Sequence, residues 1–193
     1  MKKNFVKKDY GDLQMINEII LVDEKDNEVG RTTKYEAHRQ PLLHRAFSLF
    51  IYDGENLLLQ KRAENKYHSG GLWTNTCCSH PKPDMKIEKC VMKRLLEETG
   101  IVCDFVEEIF TFQYEHKFAE DLYEHEYDHV FVGEIPAELG YTFFAFDTDE
   151  IAEMKWLSFD EILADIKNAP EKYSPWFVIS APKVIEYLRN VKY

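Results

Sequence analysis

Apolar residues along this chain fall into short runs more often than into a helical period. Ile16 to Val22 is such a run, and Asp23-Glu24-Lys25-Asp26-Asn27-Glu28 follows it, which predicts a strand and its turn. Phe47 to Tyr52 and Leu57 to Lys61 are two more, separated by Asp53-Gly54-Glu55-Asn56, and predict a hairpin. Leu72 to Cys78 predicts extended chain after a polar loop holding Gly70-Gly71. Further strands are expected at Ile109 to Tyr114, Tyr127 to Ile135 and Met154 to Leu157. Helices come singly. Ile87, Cys90, Val91 and Leu95 keep the 3.6-residue period and mark one face of a helix over Ile87 to Thr99, closed by Gly100. Ser158-Phe159-Asp160-Glu161 is a capping-box signature that opens another. Thr33 to His38 predicts a short helical turn ending before Pro41, and a last helix starts near Trp176. The pattern predicts an α/β (α+β) fold, a mixed β-sheet with helices packed on its faces.

A length of 193 residues suits one domain spanning residues 1–193, with residues 1–14 as a loosely held N-terminal arm. Hydrophobic residues make up 45% of the chain, which is a globular and not a disordered composition. No apolar run approaches the roughly 20 residues that cross a bilayer, and the basic start lacks the apolar stretch of a secretory signal, so a cytoplasmic protein without a membrane partner is expected. The net charge of −11 argues against nucleic acid as a partner, yet leaves room for a small anion met by a local positive pocket. Four cysteines are too few for a disulfide scaffold of this size.

Three segments carry candidate chemistry. In Glu124-His125-Glu126, strand alternation puts both carboxylates on one face and the imidazole on the other. Acidic residues usually form a solvated edge. With His38, His44 and His80, however, the two carboxylates compose a donor set suited to Mn²⁺ or Zn²⁺. Thr74-Asn75-Thr76-Cys77-Cys78-Ser79-His80-Pro81 holds adjacent cysteines that match neither a redox dithiol nor a zinc ribbon. A buried inert thiol is the commoner fate, and a nucleophile or base is the alternative. Lys93-Arg94-Leu95-Leu96-Glu97-Glu98-Thr99-Gly100-Ile101 resembles the end of the Nudix box. Here Lys93 stands for the box's Arg, Arg94 and Met85 for two of its Glu residues, and Ser79 for its Gly.

Taken in order, these segments resemble type 1 isopentenyl diphosphate isomerase. The resemblance runs from Lys34-Tyr35-Glu36-Ala37-His38 through Leu43-His44-Arg45-Ala46-Phe47-Ser48, Gln60-Lys61-Arg62-Ala63 and Leu72 to Pro81. It continues at Glu98-Thr99-Gly100 and Tyr123 to Asp128, and ends at Ser174-Pro175-Trp176-Phe177. It implies a Nudix-like fold and conversion of isopentenyl to dimethylallyl diphosphate in isoprenoid biosynthesis. It implies Cys78 and Glu126 as the catalytic pair, with Tyr114 positioning or relaying the proton and Trp176 offering its π face to a passing cation. It assigns His38, His44, His80, Glu124 and Glu126 to a Mn²⁺ or Zn²⁺ ion. Mg²⁺ on the diphosphate is assigned to Glu98, with Glu97 the alternative, and to the Cys78 backbone. Lys34, Arg62, Lys66 and Arg94 are implied to meet the diphosphate.

The residue types suit that reaction. Protonating an isolated alkene needs an acid, a base on the other side and a dry site, since water would capture the tertiary cation. Nearby cations are expected to favour the Cys78 thiolate. Two other readings stay open. A Nudix diphosphohydrolase requires the full glutamate set on the helix. A non-catalytic diphosphate-binding module gives no reason for Cys78, His44, His80, Glu124 and Glu126 to occur together. The expected partner is a small allylic or homoallylic diphosphate, and the protein a monomer or homodimer.

Overall fold

A computed structural model describes residues 18–135 and 145–191. The expected N-terminal arm lies outside the described residues. The order is β1 (Glu18–Val22), β2 (Glu28–Thr33), α1 (Lys34–Arg39), β3 (His44–Asp53), β4 (Asn56–Arg62), β5 (Trp73–Thr74), β6 (Cys77–Ser79), α2 (Ile87–Thr99), β7 (Glu107–Ala119), β8 (Leu122–Glu134), β9 (Ile151–Ser158), α3 (Phe159–Asn168) and α4 (Pro175–Val191).

All these strands join one mixed sheet with β3 as its hub. β3 runs parallel to β8 from His44↔Glu126 to Tyr52↔Glu134. Antiparallel partners share the rest of β3: β1 at His44, β6 at Phe47–Leu49 and β4 at Ile51–Asp53. β7 flanks β8, and β9 flanks β4.

The runs Ala46–Ile51 and Leu57–Gln60 are buried on both faces, as a strand between two layers must be. Phe50, Leu57 and Leu59 pack toward α3 and α4, with Phe159, Phe177 and Val184. The alternate residues Leu49, Ile51 and Leu58 pack toward α2, with Val91 and Leu95. Capping boxes start α1 (Thr33 with Glu36) and α3 (Ser158 with Glu161). Gly100 ends α2 at φ 71°, a left-handed value that a side chain would resist.

The expected sheet with helices on both faces is present, and the elements differ mainly in length. β2 is a strand where none is expected: Glu28 reads as turn, Thr33 as the start of a helical turn, and Gly30 with the polar Arg31-Thr32 hides the alternation between them. β7 and β8 extend well past Ile109 to Tyr114 and Tyr127 to Ile135, forming a long polar hairpin. The stretch Leu72 to Cys78 splits into β5 and β6 at Asn75-Thr76, whose buried side chains bond the backbone of β3 and β4 instead of continuing a ladder. Among the described residues no helix is long and apolar enough to cross a membrane.

Candidate active site

β8 supplies two carboxylates. Glu124 and Glu126 lie two residues apart and share a face, while His125 turns away and donates from Nδ1 to the Pro41 carbonyl at 2.9 Å. The parallel register sets His44 beside Glu126. α1 brings in His38, and the end of β6 brings His80. One donor atom from each of these five residues lies within 4.8 Å of the others.

The fit to a divalent cation follows from what these atoms lack. His44 Nδ1 donates to the Leu42 carbonyl at 2.7 Å, which leaves Nε2 bare in the neutral ring. That Nε2 is 3.1 Å from His80 Nε2, itself 3.1 Å from Glu126 Oε1. His38 Nε2 and Glu124 Oε2 are buried without a hydrogen-bond partner among the described residues. Unpaired buried polar atoms converging on one point are costly unless something charged meets them. Burial, with nearby His80 and Lys34, lowers His38 to about 2, and burial lowers His80 to about 4 against the pull of Glu126. Both rings are therefore neutral, the form that ligates.

The carboxylates titrate as a pair. Burial, then the charge of Glu126, raises Glu124 well above the usual range. Burial also pushes Glu126 up, but the neighbouring His44, His80 and Glu124 side chains outweigh it and hold Glu126 low. The pair thus shares a proton, with Glu124 the more readily protonated of the two. Tyr114 donates to Glu126 Oε2 at 2.7 Å, and burial keeps its phenol protonated.

Cys78, Glu126, Tyr114 and Trp176 line a cavity of about 100 Å³. Alternation along β6 turns Cys77 the other way, fully buried in the cluster under α2. Burial pushes the Cys78 thiol up to about 12, with Arg62 pulling it down and losing. The expected thiolate is therefore corrected: the chain's own cations do not offset the loss of water, and Cys78 is a thiol here. Trp176 donates from Nε1 to Asn75 Oδ1 at 3.0 Å, which gives Asn75 a second use besides its backbone bonds.

Lys34, Arg62, Lys66, Arg94 and Glu98 border the same cavity. Glu98 is 3% exposed and lies 2.5 Å from Arg94 Nε, whereas Glu97 is solvent-exposed and 3.7 Å from Lys93. Four residues of this site carried no expectation. Gln60 Nε2 is 3.4 Å from Glu98, and Glu150 pairs with both Lys66 and Arg94. Tyr67 meets His38 and His68 meets Glu124. Tyr67 and His68 sit in a loop read only as polar, where two large rings among charged residues and glycines were the available signal.

Residues 42–177 match the NUDIX domain family. An isopentenyl-diphosphate Delta-isomerase of Aromatoleum aromaticum is 43% identical over 89% of this chain and 88% of its own length. One from Pectobacterium atrosepticum is 38% identical over 92% of this chain and 96% of its own. Among solved structures, a Deinococcus radiodurans protein superposes with a TM-score of 0.69 at 17% identity, covering 86% of this chain and 98% of the other. A MutT protein from Methanosarcina mazei does so at 0.56 and 19%, covering 76% and 95%. These two likenesses concern the fold alone.

Proposed function

The chain belongs to the isopentenyl-diphosphate Delta-isomerase family within the Nudix fold, and from that premise we propose how its residues share the work of converting isopentenyl to dimethylallyl diphosphate. One observation carries the reading: Cys78 and Glu126 border a single buried cavity that is also edged by four basic side chains.

Lys34, Arg62, Lys66 and Arg94 hold the diphosphate, which leaves the reaction unchanged. Anchoring the remote charged end lets binding energy position the reacting carbons. Glu126, once it has taken up the single proton it shares with Glu124, delivers that proton to the terminal carbon, Tyr114 fixing one of its oxygens. Cys78 removes a proton from the carbon on the other side of the tertiary centre. That requires sulfur without its proton, which Arg62 favours and cations at the diphosphate end favour further. In the reverse direction the two groups exchange roles. Trp176, 3% exposed, turns its ring to the cavity and steadies positive charge by about 2 kcal/mol when desolvated.

His38, His44, His80, Glu124 and Glu126 would hold a Mn²⁺ or Zn²⁺ ion, and Glu98 with the Cys78 backbone a Mg²⁺ ion on the diphosphate. Such ions would fix Glu126 and neutralise phosphate charge. The buried Glu98, and not the exposed Glu97, is the helix ligand in this reading.

Hydrolysis needs water activated at phosphorus by ions on the helix glutamates. Met85 and Arg94 replace two of them, and Arg94 pairs with Glu98 and Glu150. Isopentenyl diphosphate turned over in D₂O tests the assignment. Deuterium in the new methyl group without phosphate release is expected. Phosphate release without deuterium would defeat it.

A further inference from the structure

Tyr67 and His68 belong to an excursion between β4 and β5, pinned at its base where Arg62 N–H donates to Leu72 O at 2.9 Å and Gly71 N–H donates to Arg62 O at 3.1 Å. Gly71 takes φ 74° there, so the loop returns tightly. The tip is thereby held against α1 and β8. Resting on the reading of the histidine–glutamate cluster as a metal centre, we propose that Tyr67 and His68 are positioning residues of that centre. Tyr67 orients His38, His68 orients Glu124, and together they set the affinity for the ion.

Each contact resolves an ambiguity that the ligand alone cannot. The bare ring nitrogen His38 Nε2 can meet a cation only if the ring proton sits on Nδ1. That proton needs an acceptor, and Tyr67 Oη lies 2.9 Å from Nδ1. The two rings also stack, with centroids 5.6 Å apart and planes 24° from parallel, which fixes the plane of His38. Tyr67 presents its hydroxyl inward although half of the side chain faces solvent.

Glu124 has the complementary problem of two equivalent oxygens. His68 Nε2 lies 2.6 Å from Oε1, itself 3.7 Å from His38 Nε2, so the bond fixes the rotation of the carboxylate and leaves Oε2, buried without a hydrogen-bond partner among the described residues, uncommitted. With an ion bound, Glu124 is a carboxylate, so His68 is the donor in this bond. The His68 ring has no freedom to follow a wandering carboxylate. It stacks on Phe118 at 4.5 Å and 22°, and meets Tyr67 edge-on at 4.4 Å and 87°. Neither Tyr67 nor His68 belongs to the five residues whose donor atoms converge, so both act through a ligand. Loss of such an outer partner weakens metal binding by about 10- to 100-fold.

Mn²⁺ affinity, measured by competition with a fluorescent chelator, tests this on the full chain, with thermal melting of each ion-free variant alongside. His44→Ala reports whether the cluster holds the ion at all. Tyr67→Phe and His68→Leu are expected to keep the stoichiometry and the ion-free melting temperature, and to raise Kd by about 10- to 100-fold each. His68→Gln keeps an N–H donor near the same place and is expected to recover most of the loss. Unchanged Kd in both Tyr67→Phe and His68→Leu overturns the proposal while leaving the metal centre intact. A wild-type Kd no tighter than that of His44→Ala removes the metal centre itself and the proposal with it. If His68→Leu does not fold, the comparison of Tyr67→Phe and His68→Gln with wild type decides: no loss in the first overturns the Tyr67 half, and a loss in the second equal to the His44→Ala loss overturns the His68 half.

Discussion

Cys78 should resist alkylation at neutral pH and gain reactivity steadily as the pH rises. The cause is burial, which pushes the thiol up to about 12 in the ion-free chain against the opposing pull of Arg62. An ordinary cysteine with a pKa of about 8.5 is roughly one-quarter thiolate at pH 8, whereas a pKa of about 12 leaves on the order of one part in ten thousand. The reactive fraction is therefore on the order of 2,500-fold smaller, equivalent to about 5 kcal/mol. Steric protection also slows alkylation, but it does not depend on pH, so the profile separates the two. In a Cys77→Ala background, with iodoacetamide and peptide mapping to keep Cys90 and Cys103 apart, the rate at Cys78 should climb about tenfold per pH unit from 7 to 10 without levelling. Mn²⁺ adds positive charge at the neighbouring histidine–glutamate cluster and should shift the whole profile to lower pH. A plateau below pH 9 in the ion-free protein would refute the dominance of burial. Indifference to Mn²⁺ would refute the claim that cations release the sulfur's proton.

Cys78→Ala should fold and lose kcat/KM by about 10²- to 10⁴-fold, the usual worth of a general acid or base, while Cys77→Ala costs about 1 kcal/mol of stability through a small cavity and stays active. The opposite pattern in a product-separation assay would reverse the assignment of the two cysteines. Trp176→Phe should retain much of kcat, because it keeps a π face and Asn75 Oδ1 still accepts from Thr74 Oγ1 at 2.9 Å; Trp176→Leu should lose about 30-fold, matching about 2 kcal/mol. Equal losses from Phe and Leu would indicate packing alone. Asp128 is raised well above the usual carboxylate range by burial and then by Glu126, and accepts from Ser48 Oγ at 2.7 Å. Asp128→Asn, a neutral isostere, should therefore change urea-unfolding stability by less than about 1.5 kcal/mol; a loss above about 3 kcal/mol would mean that the native group is charged.

How well the sequence announced each part follows from how each part is stabilised. Phe47 to Tyr52 and Leu57 to Lys61 are recognisable because layers on both faces demand unbroken apolar runs. The polar hairpin of β7 and β8 shows only its apolar half. Its outer half, His116 to Ala119 and Leu122 to Glu126, gets its place from ladder pairing and from the buried acid cluster, and neither leaves a hydrophobic period. Cys77 and Cys78 differ by one residue, so their opposite faces were decidable only once β6 had a register against Phe47–Leu49. Glu150 lies far along the chain from Lys66 and Arg94, and nothing in its own neighbourhood forecasts that pairing. The balance at Cys78 was not legible for a different reason. Sequence shows which cations are near in kind, while the sign of the shift depends on how completely water is removed.

The proposed reacting groups stand on strands, which would let a Nudix scaffold serve a reaction at carbon. On α2 only Glu98 among the box glutamates faces the cavity, so the helix offers one carboxylate where a set would be needed to activate water. The candidate ion site instead spans β3, β8, the end of β6 and α1, with His44 and Glu126 fixed in neighbouring registers. Strands locked between two packed layers tolerate little displacement, and a proton-transfer pair needs that precision of distance. The buried rings of Trp176 and Tyr114 border the cavity and limit the water beside them, which would otherwise intercept a carbocation. The same dryness raises Cys78 and Glu124, so the site makes ionisation hard where it makes the cation safe. The four basic side chains and the ions they are read to accompany resolve that conflict, since they can favour a thiolate and anchor diphosphate without admitting water.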